Sequence, residues 1–308
     1  MIGARYEIEG RTVLLTGAAR GIGADAARRL ADRGARLALV DRDAEALERR
    51  AAELAEHGEV LALPADVTDA EALAQVVRAT RERFCGIDVV IANAGISGSP
   101  TPVTAIDPAE FEQVIEINLL GVWRTVHAAL PDVVARKGYV LPIASVAAVV
   151  PCPLVAAYAA SKHGVEGFAD SIRMELAHTG TRVGVGYFSF IDTDMVRDAF
   201  ADPDAAIGLR ALPGFLSRPI PVGAAGAAIV RGVERRARRV YAPRWVPALI
   251  AARGLGGPME ALAARHPRLI EACRAAEARV SDTAGDGPAA APPGEAPARA
   301  VAQGAPRG

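Results

Sequence analysis

The strongest constraint on this chain is a set of short, almost wholly apolar runs that alternate with helical patterns. Arg11-Thr12-Val13-Leu14-Leu15-Thr16, Arg36-Leu37-Ala38-Leu39-Val40, Val60-Leu61-Ala62-Leu63-Pro64-Ala65, Ile87-Asp88-Val89-Val90-Ile91-Ala92 and Tyr139-Val140-Leu141-Pro142-Ile143-Ala144 lack the polar alternation of a half-exposed strand. Runs of that kind are buried on both faces of a parallel sheet. Parallel neighbours require crossovers, and helical patterns occupy the intervals: Ala24 to Arg33 ending at Gly34, a segment beginning near Asp43, Asp69 to Phe84, and Pro108 to Val134. The predicted fold is therefore α/β, a doubly wound parallel sheet flanked by helices on both faces, with ligands bound beyond the carboxyl ends of the strands.

With 308 residues and 51% hydrophobic content, the chain can bury one large core. We expect a single domain over residues 1–280. It would include a substrate lid at about 194–221, rich in Pro, Gly and apolar residues, and a helical C-terminal extension at about 244–280. The Ala-, Pro- and Gly-rich stretch 281–308 lacks periodicity and should be disordered. A net charge of −1 gives no attraction to nucleic acid. Cys85, Cys152 and Cys273 are odd in number and lack metal-ligand spacing, so no metal site is expected and a reducing, cytoplasmic setting fits. The N-terminal residues carry charges but no apolar core of a secretion signal. Tyr139 to Ala160 is uncharged, yet Pro142, Pro151 and Pro153 interrupt it as a membrane span. A helix expected from Val222 to Arg239 ends in an arginine cluster followed by Tyr241 and Trp245. Such a segment can touch an anionic membrane surface peripherally, or simply end a solvated helix.

The first strand runs directly into Gly17-Ala18-Ala19-Arg20-Gly21-Ile22-Gly23 and then into a helix. Glycines at such a turn let the backbone approach a pyrophosphate, whose charge is met by the helix N-terminus. The second strand ends at Asp41, where a carboxylate can bond the adenosine ribose hydroxyls of NAD and repel the 2′-phosphate of NADP. An acid that merely caps the next helix is the plainer reading. Arg20 and Arg42 lie close enough in sequence to reach a phosphate, so NAD is favoured and NADP stays open.

Tyr158 and Lys162 stand four residues apart, one above the other on a helix. A phenol with a pKa of about 10 is a poor base near neutrality, but an adjacent cation favours its ionised form. Ser145 ends the apolar run thirteen positions before Tyr158, where a buried strand delivers its hydroxyl to the same pocket. Asn118, among aliphatics in Ile117-Asn118-Leu119-Leu120, is either a satisfied interior amide or a site residue that bends its helix.

Together these residues resemble the short-chain dehydrogenase/reductase superfamily over about Glu7 to Pro243, and the resemblance implies a Rossmann-like fold. Thr16-Gly17-Ala18-Ala19-Arg20-Gly21-Ile22-Gly23 is similar to the family's TGxxxGxG cofactor motif. Asp66-Val67 is similar to its adenine-contacting pair, and Asn93-Ala94-Gly95 to its NAG motif. Asn118, Ser145, Tyr158 and Lys162 match its catalytic tetrad, and Thr193 matches a residue that contacts the nicotinamide amide. The resemblance implies that Tyr158 exchanges the substrate proton and Ser145 holds the substrate oxygen. Lys162 would lower the phenol pKa and bind the nicotinamide ribose, and Asn118 would support a water relay. After the sixth strand, Arg182 to Tyr187, the family's Pro-Gly pair is replaced by Phe188-Ser189, followed by Phe190; these rings could pack beneath the nicotinamide or reshape the pocket. The function this implies is NAD(P)-dependent oxidoreduction between a secondary alcohol and a ketone, with a hydrophobic substrate to suit the apolar lid. The alternative is a nucleotide-bound regulatory or membrane-surface scaffold without turnover. By family analogy the protein would be a homo-oligomer, a dimer or tetramer.

Overall fold

A computed structural model describes residues 5–150, 152–209, 214–255, 257 and 264–285. Six strands, β1 (Thr12–Thr16), β2 (Arg36–Asp41), β3 (Val60–Pro64), β4 (Val89–Ala92), β5 (Tyr139–Pro142) and β6 (Arg182–Val183), form one sheet in the order β3-β2-β1-β4-β5-β6. All of its pairings are parallel. Crossovers on the two faces are made by α1 (Gly21–Ala31), α2 (Ala44–Leu54), α3 (Ala70–Phe84), α4 (Pro108–Ile115), α5 (Gly121–Ala135) and α6 (Ala156–Glu175). This is the doubly wound, Rossmann-like arrangement expected from the alternation of runs.

The pleat divides the apolar residues between two cores. Val13, Leu15, Leu37, Leu39, Val89, Ile91 and Leu141 face one side, where Ala26, Ala27 and Leu30 of α1 meet Ile229 and Val233 of α10 (Val222–Arg235). Leu14, Ala38, Val40, Val90 and Val140 face the other, against Val76 of α3, Val122 and Val126 of α5, and Val165 and Ala169 of α6. β1, β4 and β5 are buried at every position, and each large aliphatic side chain so buried contributes about 1.5–3 kcal/mol. Helix starts follow local chemistry. Asp43, Asp69 and Asp107 accept backbone N–H bonds at the starts of α2, α3 and α4, and Pro108 occupies the first turn of α4.

Four elements differ from expectation. The predicted sixth strand is split at Gly184 into β6 and β7 (Val185–Phe188), and β7 pairs in parallel with β8 (Arg239–Ala242). A Cβ at Gly184 would lie 2.1 Å from the Tyr139 hydroxyl and 2.3 Å from the Ala237 carbonyl oxygen, and that hydroxyl donates to Ala237 O at 2.7 Å. The strand therefore steps around a buried Tyr–carbonyl bond at the only residue type that leaves room for it. The helix expected to reach Arg239 stops at Arg235 because Arg236 adopts a left-handed backbone conformation; its guanidinium stacks over Tyr6 and donates to Lys137 O at 2.9 Å. The arginine and aromatic stretch thus enters strand β8, with Trp245 packed against the second core. Among the described residues no helix is long and apolar enough to cross a membrane.

The helix expected from Pro108 to Val134 is continuous but contains a π-helical turn at Glu116–Leu120, between α4 and α5. The C-terminal segment forms α11 (Val246–Ala251), a short 3-10 turn at Ala252–Leu255 and α12 (Pro267–Gly285). The stretch expected to be disordered from Ser281 thus begins inside a helix, whose Arg279 pairs with Asp202 at 2.7 Å; residues 286–308 lie outside the described residues. In the expected lid, α7 (Asp194–Ala201), α8 (Pro203–Leu209) and α9 (Gly214–Ser217) are bounded by mutual bonds, Asp192 N to Ile220 O and Ile220 N to Phe190 O, both 2.9 Å. Residues 210–213 of that stretch lie outside the described residues.

Gly184→Ala is expected to lower stability by about 1–3 kcal/mol through overpacking. Adding Tyr139→Phe should recover part of the loss by removing the nearer of the two clashing oxygens, as measured by chemical denaturation.

Candidate active site

The site begins where β1 meets α1. Gly21 has φ +54 and lies against the Thr193 side chain, whose methyl would sit 3.2 Å from any added Cβ. At Gly23 a Cβ would come within 1.9 Å of Gly17 O, so the turn closes only without one. Ile22 sends its side chain into the first core, leaving only its backbone at the turn. The N-cap residue Arg20 is extended and no side chain caps α1, unlike α2, α3 and α4. The first-turn N–H groups of α1 are thus left for an external anion. This glycine cradle and uncapped helix fit the pyrophosphate of a dinucleotide.

Beside it, Gly17, Asp41, Arg42, Asp66, Val67 and Gly95 are among the residues lining a cleft of about 140 Å³. The Asp41 carboxylate is oriented by two backbone donors, Ala19 N at 3.0 Å and Asp43 N at 3.1 Å. Arg20 is ion-paired to Asp43, which also caps α2, while Arg42 is exposed at the rim. One oxygen of Asp66 accepts from Thr68 N at 2.9 Å and from its hydroxyl at 2.8 Å. Thr16 and Asn93 act on the protein itself. The Thr16 hydroxyl accepts from Asn93 N at 3.0 Å and Ala94 N at 3.2 Å, and the Asn93 amide donates to Thr16 O and Gly17 O. These bonds lock the ends of β1 and β4 together and hold the glycine turn in place.

Asn118 is fully buried in the π-helical turn. Its Oδ1 accepts from Ile96 N at 2.8 Å, and its Nδ2 donates to Ile96 O at 2.8 Å and Ser161 Oγ at 3.2 Å. It is a satisfied interior amide that also sits on a helix distortion. The clamp fastens the loop after Gly95 to α6.

Tyr158 and Lys162 lie one turn apart on α6. The Lys162 ammonium is buried, donates to Ile143 O at 3.0 Å and lies 5.6 Å from the centroid of the Tyr158 ring. Ser145 follows β5 and caps the 3-10 turn Val146–Ala148, accepting from Ala147 N at 3.1 Å and donating to Phe188 O at 3.3 Å. Burial pushes the Tyr158 phenol above its ordinary value, a hydrogen bond with Ser145 pulls it down, and the nearby Cys152 raises it. Burial also brings the Lys162 ammonium down to about 8. In this geometry the ammonium lies over the ring face.

Phe188 is buried in the first core, while Phe190 meets Phe200 of α7 edge-on at 5.1 Å. Phe188, at the first position of the family's Pro-Gly pair, therefore anchors the sheet end, and Phe190, two residues on, braces α7. Two neighbours of the site carried no signal in the sequence. Cys152 is one. The other is α12, whose Ala272 and Ala276 pack on Leu154 with Ile207 of α8 alongside. Glu277 of α12 accepts from the Thr104 hydroxyl at 3.0 Å. The contacts of α12 with Leu154 and Thr104 join positions more than 100 residues apart, beyond the reach of any local pattern.

The short chain dehydrogenase family profile matches residues 11–204. Levodione reductase of Leifsonia aquatica is 37% identical over 210 residues, 67% of this chain and 79% of that protein. 3beta-hydroxysteroid dehydrogenase 1 of Eggerthella lenta is 33% identical over 228 residues, 72% and 87% of the respective chains. A crystal structure of levodione reductase superposes with a TM-score of 0.72 at 32% identity, covering 78% of this chain and 98% of that one. An alcohol dehydrogenase from the archaeon Thermococcus sibiricus, complexed with 5-hydroxy-NADP, gives 0.65 at 27% identity, covering 75% and 94%. The match across both the glycine turn and the Tyr158–Lys162 helix places this chain in the short-chain dehydrogenase/reductase family of oxidoreductases.

Proposed function

We propose that the protein oxidises hydrophobic secondary alcohols, or reduces the corresponding ketones, with NAD preferred over NADP. The observation that carries this reading is the convergence of Ser145, Tyr158 and Lys162 beside a glycine turn shaped for a dinucleotide. Tyr158 and Lys162 lie one turn apart on α6 with the ammonium 5.6 Å from the ring centroid, and that ammonium donates to the carbonyl oxygen of Ile143, two residues before Ser145. The relatives' names, which include a levodione reductase and a hydroxysteroid dehydrogenase, favour cyclic, largely apolar substrates.

When bound, the nicotinamide supplies the acceptor or donor of the hydride. The chain's own groups handle the proton and the oxygen. Ser145 Oγ would hold the substrate oxygen, and Tyr158 Oη would take the hydroxyl proton during oxidation or return it during reduction. Lys162 Nζ, buried and already donating to Ile143 O, would bond the nicotinamide ribose and keep positive charge beside the phenol. Asn118 would order water next to the Ile96 carbonyl for proton exit. Gly17, Arg20, Gly21, Ile22 and Gly23 would hold the pyrophosphate. Asp66 and Val67 would meet the adenine, and Ala94, Gly95 and Thr193 would border the nicotinamide half. The stretch 194–221 would exclude water from the substrate.

The NAD preference rests on Asp41 and on the arginine beside it. Two backbone donors aim the carboxylate, and Arg20 is occupied by Asp43, leaving Arg42 to offset the repulsion of a 2′-phosphate. We further propose that residues 1–280 act as one domain, supported by the contacts of α12 with Thr104 and Asp202. The protein would work in the cytoplasm as a homo-oligomer. Placing the arginine and aromatic stretch in β8 supports a structural role for it over membrane contact, and the scaffold alternative would leave Tyr158 without a task.

Tyr158→Phe is expected to cut kcat by about 10²–10⁴ while leaving NADH affinity unchanged, because only the proton-transferring oxygen is lost. Turnover with cyclohexanol, followed at the nicotinamide absorbance band, and NADH fluorescence titration check it. Turnover equal to wild type would refute the proton-transfer role of Tyr158, and a wild type without turnover on any secondary alcohol would favour the scaffold reading.

NADH should bind at least about tenfold tighter than NADPH, a difference of about 1.4 kcal/mol. Asp41→Ala should narrow or reverse that ratio, and Arg42→Ala should affect NADPH more than NADH. Fluorescence titration with both cofactors measures it; tighter NADPH binding by wild type would refute the role given to Asp41.

Lys162→Met should abolish turnover yet raise the melting temperature at pH 7 by about 2–4 °C, equivalent to about 1 kcal/mol once the lost bond to Ile143 O is subtracted. The folded-state pKa of about 8 lies below the ordinary 10.5. Below pH 8 both states bind the proton and the full burial cost applies. As pH rises from 8 towards 10.5 the folded state sheds its proton first, so wild-type stability gains relative to the variant. Thermal melts of both proteins from pH 7 to pH 10 should show the gap closing.

A further inference from the structure

Arg253 sits in the 3-10 turn Ala252–Leu255, outside the segment matched by the family profile. One of its terminal nitrogens donates both to Ala148 O, at 2.6 Å, and to Glu166 Oε2. Ala148 closes the 3-10 turn that Ser145 begins. Glu166 lies on α6 one turn beyond Lys162 and two beyond Tyr158, and so on the same face. Its other oxygen accepts from the Tyr187 hydroxyl of β7 at 2.6 Å. Glu166 is 6% exposed, and a carboxylate so buried needs a charged or hydrogen-bonded partner. Arg253 supplies one while bonding the backbone of the Ser145 turn.

We propose that Arg253 is a positioning residue that sets the distance between the Ser145 hydroxyl and the Tyr158 phenol. The Ser145 turn hangs from the end of β5, and Tyr158 starts a helix more than ten residues later. The intervening chain passes through Pro153 and through Leu154, which has φ +68. Ala148 shares the second core with Val165 and Ala169 of α6. The guanidinium adds a polar tie that bridges the turn to the helix face carrying Tyr158, Lys162 and Glu166, with Tyr187 fixing that face to the sheet. A misplacement of about 1 Å between reacting groups can lower a rate by about 10², so a tie from the C-terminal segment would act on turnover without touching substrate or cofactor.

The inference rests on the dehydrogenase reading, and the test separates the two. Arg253→Met, Glu166→Gln and the double variant are compared with wild type for kcat with cyclohexanol, NADH affinity by fluorescence, and melting temperature. Arg253→Met alone leaves the Glu166 carboxylate buried beside Tyr187 with its cation gone, so it should lose both stability and kcat, the latter by about tenfold or more. In the double variant the uncharged amide removes that electrostatic cost, and the melting temperature should return close to wild type. Its kcat should stay low, because the polar tie from α6 to Ala148 O is then gone, and its NADH affinity should remain within about twofold of wild type. Glu166→Gln alone keeps the bridge and should retain most of kcat, and Arg253→Lys should restore part of it. A double variant that regains kcat together with stability, or an Arg253→Met protein as active as wild type, would overturn the positioning role and leave Arg253 a counter-ion. If Arg253→Met does not fold, the double variant alone decides. Wild type inactive on every secondary alcohol would overturn the dehydrogenase reading and this inference with it.

Discussion

Both faces of the β3-β2-β1-β4-β5-β6 sheet are sealed by helices, and this constraint governs where chemistry can occur. A polar group on either face would need a buried partner, so functional side chains gather where the strands end and the backbone turns. Thr16, Asp41, Asp66, Asn93 and Ser145 come from strand ends or the turns just beyond them. The clamp between Thr16 and Asn93 then fixes the glycine turn relative to β4, and the Asn118 clamp fixes the next loop relative to α6. Thr16, Asp41, Asn93, Asn118 and Ser145 each bond backbone from a different element, whereas Asp66 bonds within its own turn.

The buried charges follow a different logic. Lys162 is enclosed with a carbonyl oxygen as its hydrogen-bond acceptor, and its lowered pKa measures the cost of that enclosure. A protein selected only for stability would place an apolar residue there. Glu166, one turn further along α6, is also buried but fully engaged by Tyr187 and Arg253. The two charges on one helix face are thus treated oppositely. Lys162 retains donors that its protein contacts do not use, as a ligand-binding group must, and Glu166 is fastened, as a structural anchor must be.

The C-terminal third changes the surroundings of a family fold more than the fold itself. Arg253 reaches the Ser145 turn, while α12 covers Leu154 and α8 and pins Thr104. Phe190 and Phe200 brace α7 from the other side. Arg253 and α12 therefore reach the surroundings of the reacting groups through long-range contacts. This suits a scaffold on which hydride chemistry stays constant and substrate choice varies.

Much of this was readable without coordinates. Unbroken apolar runs require burial on both faces, and the intervening helical patterns leave a doubly wound parallel sheet as the economical solution. Gly17, Gly21 and Gly23 follow the first strand because only glycine permits that turn, so the turn itself was legible residue by residue. The spacing of Tyr158 and Lys162 fixed their shared helix face for the same reason, since helical periodicity is local. The sequence could not show that Gly184 breaks a strand to clear the Tyr139 hydroxyl, nor that Arg236 stops a helix by stacking on Tyr6. It was equally silent on Arg20 being held by Asp43, on Phe188 entering the core while Phe190 braces α7, and on Arg253 bridging Ala148 and Glu166. Local patterns report what each residue prefers to become. Which groups then meet depends on how elements pack, and those contacts, mostly between residues far apart in the chain, were decided by the tertiary structure alone.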